Sequence, residues 1–276
     1  MIIWLASYPK SGNTWVRLFL DALLNTSDEF NINQNLIQQF PLRSNFKGLT
    51  DNVNNQEEFA KYCITAQQKI NLDNKIKILK THNALWNWKN GKFTFTNENE
   101  TLGVIHIVRD PRNIVTSILN YFHKENYQSA IKFMERDRVL GGDEDEHGLP
   151  TIIGSWSNHY KSWKKFKKNN LLIRYEDLLK KTEEEFLKIT DFLNSIGNFK
   201  FNKNNIIKAI KNCEFNNLSK QEDNFGFIGN SDTNKKLNQK FFNLGPNNNW
   251  EKILKKEFQD EIENLFGKEM KEIGYL

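Results

Sequence analysis

Cysteine is nearly absent from this sequence: Cys63 and Cys213 are the only two in 276 residues. Two thiols do not make a disulfide framework, and neither sits at a metal-ligand spacing. A reduced, cytoplasmic protein is the expectation that follows. Long apolar runs are missing as well, so nothing in the sequence is expected to span a bilayer and membrane contact is not required. The apolar N-terminus lacks the basic region and cleavage site of a signal peptide. No Pro-rich, Gly/Ser-rich or strongly charged run divides the chain, and no internal repeat is visible. It therefore reads as a single domain over residues 1–276. A large excess of one charge is also missing. The net charge is +5, a modest surplus that suits an anionic ligand and also suits weak nucleic-acid binding; no nucleic-acid partner is expected.

What the chain does have is apolar bulk: 38% hydrophobic residues, with 21 Phe and 7 Trp, enough to fill a sizeable core. Short apolar runs alternate with helical patterns. Ile2 to Ser7, Lys75 to Lys80, Val104 to Val108 and Leu171 to Tyr175 read as strands. Glu57 to Ile70, Pro111 to His123, Gln128 to Leu140, Thr151 to Lys168, Glu183 to Leu193, Lys203 to Asn212 and Glu251 to Ile273 read as helices. Phe93 to Phe95 reads as a short strand, Asn25 to Asn55 as irregular, and the polar stretch Asn216 to Gln239 as mobile. This alternation predicts an α/β fold with a mainly parallel central sheet flanked by helices. Such sheets bind ligands at the carboxyl ends of their strands. Lys10, His82, Arg109 and Tyr175 all fall at or just past a predicted strand end, so they are expected to line one crevice.

The sharpest signal is the first strand and turn, Ile2 through Trp15. Pro9 and Gly12 bracket a tight turn, and a helical pattern begins at Trp15. A strand–turn–helix of this kind aims backbone N–H groups and the positive end of a helix dipole at one spot, which makes an anion site. Lys10 adds charge, and Ser11, Asn13 and Thr14 add donors. A Walker A loop does not fit, because Lys10 precedes Gly12 and the Gly-x-x-x-x-Gly-Lys spacing is absent.

Tyr8-Pro9-Lys10-Ser11-Gly12-Asn13-Thr14-Trp15 resembles the phosphosulfate-binding loop of the sulfotransferases. That resemblance implies a P-loop-like fold, 3′-phosphoadenosine 5′-phosphosulfate (PAPS) as co-substrate, and no metal. Arg109 and Ser117, eight residues apart, resemble the pair that binds the 3′-phosphate. Lys80-Thr81-His82 resembles the segment that carries the general base, which implies His82 as base with Lys80 and Lys10 assisting. Trp15, Tyr175 and Phe215 match aromatic positions around the adenine. Asn243 through Trp250 resembles the last signature, in which Gly245 and Trp250 keep their places while its Arg, its Lys and its second Gly are missing. Lys240 is a candidate replacement for the lost charge. Arg112 is expected to pair with either a phosphate or an acid.

The acidic run Asp143 to Glu146 invites a metal reading, but it lacks the closing Glu of a calcium loop. A solvated loop, near the acceptor pocket in this family, is the expectation. His106, His123, His147 and His159 are expected to be structural or exposed. Trp86, Trp88, Phe133 and Met134 are expected to border the acceptor pocket. The implied reaction moves a sulfuryl group from PAPS to a hydroxyl of a small-molecule alcohol, phenol or carbohydrate. Two other readings stay open: an ATP-dependent small-molecule kinase, and a non-catalytic adenine-nucleotide or nucleic-acid-binding protein. Acceptor identity and oligomeric state are not legible.

Overall fold

The computed structural model describes residues 1–25, 29–142 and 148–276. Its centre is β1 (Ile2–Ser7), six residues that are all buried. Uninterrupted burial is what a strand covered on both faces of a parallel sheet requires. On one side β1 pairs in parallel with β2 (Lys77–Thr81), so that Leu5 faces Lys80 and Ala6 faces Thr81. A small hairpin, β3 (Asn87–Trp88) with β4 (Phe93–Thr94), follows. On its other side β1 pairs with β5 (Thr101–Val108), which places Ser7 against Ile107. A second small hairpin joins β6 (Val139–Leu140) to β7 (Thr151–Ile152). β8 (Asn170–Arg174) completes the four-stranded sheet, whose order is β2-β1-β5-β8. All three of its pairings are parallel. The α/β expectation is therefore met.

Helices cover both faces. α1 (Asn13–Leu24) and α2 (Gln56–Asn71) lie between β1 and β2 in the chain. α3 (Pro111–Tyr121), α4 (Tyr127–Glu135) and α5 (Trp156–Lys164) lie between β5 and β8. After β8 come α6 (Tyr175–Lys180), α7 (Thr182–Gly197), α8 (Lys203–Asn212), α9 (Phe215–Phe225), α10 (Asp232–Lys236), α11 (Trp250–Ile253) and α12 (Lys256–Ile273).

Side-chain alternation along β1 divides the core. Ile3 and Leu5 pack with Phe19, Ile105, Ile107, Ile173 and Phe186. Ile2, Trp4 and Ala6 face the other way, onto Phe40, Phe46, Phe59, Phe95 and Trp163. A third cluster lies beyond β5 and joins Val108, Ile114, Ile131, Trp156 and Phe266. Fixing β1 between these layers fixes where its last residue hands the chain to the turn.

Five segments differ from the expectation. The helix expected over Thr151 to Lys168 starts only at Trp156: Thr151 pairs with Leu140, Gly154 takes φ +65°, and the Ser155 side chain caps the helix through the amide of Asn158. The same pairing stops the preceding helix at Glu135 rather than Leu140. The stretch Asn216 to Gln239 is structured. Leu218 is buried, and the Glu222 carboxylate accepts from the amides of Phe241 and Phe242 at 2.8 and 2.9 Å. The last helix is two, because Leu254 is extended. Tyr175 opens α6 rather than closing the strand. The acidic run Asp143 to Glu146, with His147, lies outside the described residues.

Candidate active site

The chain from Tyr8 to Trp15 turns sharply at the carboxyl end of β1. Lys10 and Gly12 both take positive φ, +68° and +99°. At Gly12 the need for glycine is direct, since a Cβ there would lie 2.4 Å from Cδ2 of Tyr175. Arg109, just past the end of β5, locks the turn by donating from Nη1 to the carbonyl of Lys10 at 2.9 Å. The Asn13 carboxamide donates to the carbonyl of Leu5 and to Oγ of Ser7, tying the helix start back onto β1. The amide of Ser11 donates to the carbonyl of Tyr8. Among the described residues, the amides of Gly12, Asn13 and Thr14 find no protein acceptor, as expected for the first turn of a helix.

These free N–H groups open onto a cavity of about 970 Å³. Lys10, Gly12, Asn13, Thr14 and Trp15 line it, and so do Lys80, His82, Arg109, Ser117, Tyr175, Phe215 and Gly245. Residues from six separate stretches of chain thus meet in one place. Of the candidate residues, Ser11 alone turns away. Its side chain is buried beneath the turn, beside Tyr8, His106 and His159. Its part in an anion site is therefore limited to shaping the backbone.

The cavity is strongly cationic. Among the described residues, Lys10, Arg17, Lys80, Arg109 and Lys240 line it against one carboxylate residue, Glu214. The Lys10 amine rests on the faces of Tyr121 and Phe241, 3.8 and 4.6 Å from the ring centres. Burial, then the neighbouring Arg109 and Lys80, push its pKa down to about 7. Lys80 is pushed down to about 8 by burial and then by Arg17, and its amine donates to Oε1 of Gln39 at 3.3 Å. Like charges gathered in one cavity wall are the arrangement expected of a polyanion site.

His82 follows β2 and lies across from the end of β1. Its Nδ1 is 2.8 Å from the carbonyl oxygen of Ser7. A carbonyl only accepts, so Nδ1 carries the proton and Nε2 keeps its lone pair. Burial, followed by the Lys80 charge, depresses the His82 pKa to about 3, so the ring is neutral in the empty site. His106 and His159 are buried and do not line the cavity, as expected of structural histidines.

At the other end the walls are aromatic. The Arg109 guanidinium lies 4.2 Å over the Tyr175 ring, and Trp15 meets that ring edge-on. The Trp15 indole donates to the carbonyl of Cys213 at 2.9 Å. Gly245 lies against Phe215, whose Cε2 would be 2.2 Å from an added Cβ.

The structure bears on three further expectations. Trp86, Trp88, Phe133 and Met134 do not line the cavity. Trp86 packs on Phe59 and Phe95 in the core, and Phe133 and Met134 pack under α3. Arg112 pairs with acids, Asp110 at 2.7 Å and Glu263 at 2.6 Å, and stacks on Trp250. Trp250 is thus part of that cluster and not of the cavity wall. Lys240 is at the cavity but already paired with Asp223 at 2.5 Å. One residue was missed outright. Arg17 lies three positions past Thr14, on the same face of α1, and that spacing was the available signal.

Residues 2–274 match the family model described as a sulfotransferase domain. Luciferin sulfotransferase of Photinus pyralis is 24% identical over 227 residues, which cover 77% of this chain and 55% of that protein. Flavonol 4′-sulfotransferase of Flaveria chlorifolia is 23% identical over 285 residues, covering 99% of this chain and 80% of that one. Among solved structures, mouse sulfotransferase SULT7A1 complexed with PAP superposes with a TM-score of 0.61 at 19% identity, covering 98% of this chain and 84% of that one. The fold is common to both.

Proposed function

The chain belongs to the sulfotransferase family, and from that premise we propose that it transfers the sulfuryl group of PAPS to a hydroxyl of a small-molecule acceptor. The observation that carries the reading is a base with a free Nε2, His82, in the same cavity as a turn that offers three unpaired amides and Lys10. PAPS is the co-substrate, and the residues proposed to hold it line the cavity. The amides of Gly12 to Thr14 and the Lys10 amine suit the phosphosulfate oxygens. Arg109 and Ser117 suit the 3′-phosphate, and Arg109 keeps a buried Nε without a partner. Trp15, Tyr175, Phe215 and Gly245 wall the adenine end.

In the reaction His82 Nε2 takes the acceptor proton while the acceptor oxygen bonds to sulfur. The bond from sulfur to the phosphate oxygen breaks on the opposite side, and 3′,5′-ADP leaves. Lys10 and the loop amides hold the charge that moves onto the leaving oxygen, and Lys80 offsets charge on the sulfuryl oxygens. A bound polyanion also offsets the Lys80 and Lys10 charges that depress His82, which raises its basicity when it is needed. Among the described residues no helix is long and apolar enough to cross a membrane. We place the protein in the cytoplasm.

Calorimetric titration with 3′,5′-ADP, 5′-AMP and ATP–magnesium tests the reading. The expected result is preference for 3′,5′-ADP, followed by turnover of PAPS with an acceptor. Preference for ATP–magnesium would sink it in favour of a kinase.

A further inference from the structure

The mechanism above uses three of the four cations buried in the cavity wall and leaves Arg17 idle. Arg17 is within electrostatic reach of Lys80 and lines the same cavity. On the reading above, Arg109 marks the 3′-phosphate end, Lys10 the sulfuryl group, and Lys80 with His82 the acceptor oxygen, so a cation beside Lys80 falls on the acceptor side.

The backbone supports the same placement. The segment from Gln38 to Phe40 docks on the end of β2: the Lys80 amide donates to the carbonyl of Gln38, and the Phe40 amide donates to that of Lys80. Asn35, Gln38 and Gln39 line the cavity with Arg17. Arg17 uses one nitrogen to hold this segment. Nη1 donates to Asp21 Oδ2 and to Asn35 Oδ1, each at 3.1 Å. Asp21, fully buried, also accepts from the amide of Ile37 at 2.7 Å. Nε and Nη2 have no acceptor among the described residues, and Arg17 is one of the residues that line the cavity. Two parallel N–H donors on a rigid, pre-positioned plane match a carboxylate or a similar anion.

We propose that Arg17 is an acceptor-recognition residue and that the acceptor carries, besides its reacting hydroxyl, an anionic group such as a carboxylate that pairs with the free edge of the Arg17 guanidinium. This rests on the sulfotransferase reading for the direction of the cavity. Asn35 and Gln38 supply neutral hydrogen-bonding walls around the anion. Asp21 holds the guanidinium from behind, so the arginine is rigid before the acceptor arrives.

The test uses full-length protein saturated with 3′,5′-ADP, with 4-hydroxybenzoate and 4-hydroxybenzamide as matched probes that differ in the anion alone. The benzoate is expected to bind at least about ten-fold tighter, which is about 1.4 kcal/mol. In Arg17→Gln that preference should vanish while 3′,5′-ADP affinity stays as it was, and Arg17→Lys should recover part of it. Equal binding of the two probes by the wild-type protein overturns the proposal without any variant. So does binding of neither, or a preference that survives in Arg17→Gln. If Arg17 were only a strut for Asn35 and Ile37, both probes would weaken together. Failure of 3′,5′-ADP to bind at all would strike the nucleotide reading instead, and would leave the benzoate contrast to be read on the empty protein.

Discussion

Nδ1 of His82 and the carbonyl oxygen of Ser7 are 2.8 Å apart. The acceptor belongs to the last residue of β1 and the ring to the residue after β2, so the register of two neighbouring strands sets the tautomer of the base. His82→Ala removes the base and leaves the loop and Arg109 in place. The expected loss of kcat is about 10²–10⁴-fold, with 3′,5′-ADP affinity nearly unchanged in a calorimetric titration. Full activity in that variant takes His82 out of the mechanism.

The lowered pKa of Lys10, about 7, gives a signed pH dependence. In the unfolded chain this amine titrates near 10.5, so between these values the unfolded state binds more protons and the empty protein gains stability from this group as pH rises. Ligand affinity runs the other way, because an anion prefers the charged amine. Affinity for 3′,5′-ADP should therefore fall as pH rises from about 7 to about 9, with proton uptake on binding. Calorimetry in two buffers of different ionisation enthalpy at about pH 8 measures that uptake, and zero uptake contradicts the assignment.

Gly12→Ala places a methyl 2.4 Å from the Tyr175 ring at a backbone φ of +99°. The positive φ and the overpacking together should cost about 2 kcal/mol or more. Because the strain sits in the anion turn, nucleotide affinity should drop with stability. A thermal melt with and without 3′,5′-ADP reads both.

Arg109→Lys keeps the charge and loses the fork. The preference for 3′,5′-ADP over 5′-AMP should shrink by about ten-fold or more, the worth of a charge-assisted hydrogen bond. An unchanged ratio would move the 3′-phosphate away from Arg109.

Arg112→Ala acts on stability instead. It leaves Asp110 buried without its cation and uncovers Trp250. A loss of about 3–5 kcal/mol is expected in a denaturant titration. The 3′,5′-ADP affinity of the folded fraction should be retained, since Arg112 is absent from the cavity wall.

Sequence reading went furthest where a strand end and a turn coincide. Lys10, His82 and Arg109 could be placed in one crevice from apolar runs alone, because a parallel sheet brings its carboxyl ends to one edge. The helix read from Pro111 does start there, and the Asp110 side chain caps it by accepting from the Arg112 amide. It failed where pairing is short. Val139–Leu140 and Thr151–Ile152 are two-residue strands with no period to detect, and their pairing overrode the helical pattern on both sides. It failed again at α9, where polar composition hid a helix whose Glu222 is satisfied by amides far along the chain. Trp86, Phe133 and Met134 were misplaced because bulk says that a residue is buried and not which layer buries it. Arg17 was missed because Asn35, which helps hold its guanidinium, meets it only once the segment after α1 folds back.

The central place of β1 has a consequence for synthesis. Its partners arrive late: the Ser7–His82 contact spans 75 residues and the Lys10–Arg109 contact 99. At about 5–20 residues per second, roughly 5–20 s separate the emergence of Lys10 from that of Arg109. Until β2 emerges β1 has two open edges, and until β5 emerges it keeps one, the condition that invites chaperones or self-association. Ribosome-bound chains that stop short of β5 should accordingly hold no nucleotide, and the first half of translation is the stage at which this protein is most exposed to misassembly.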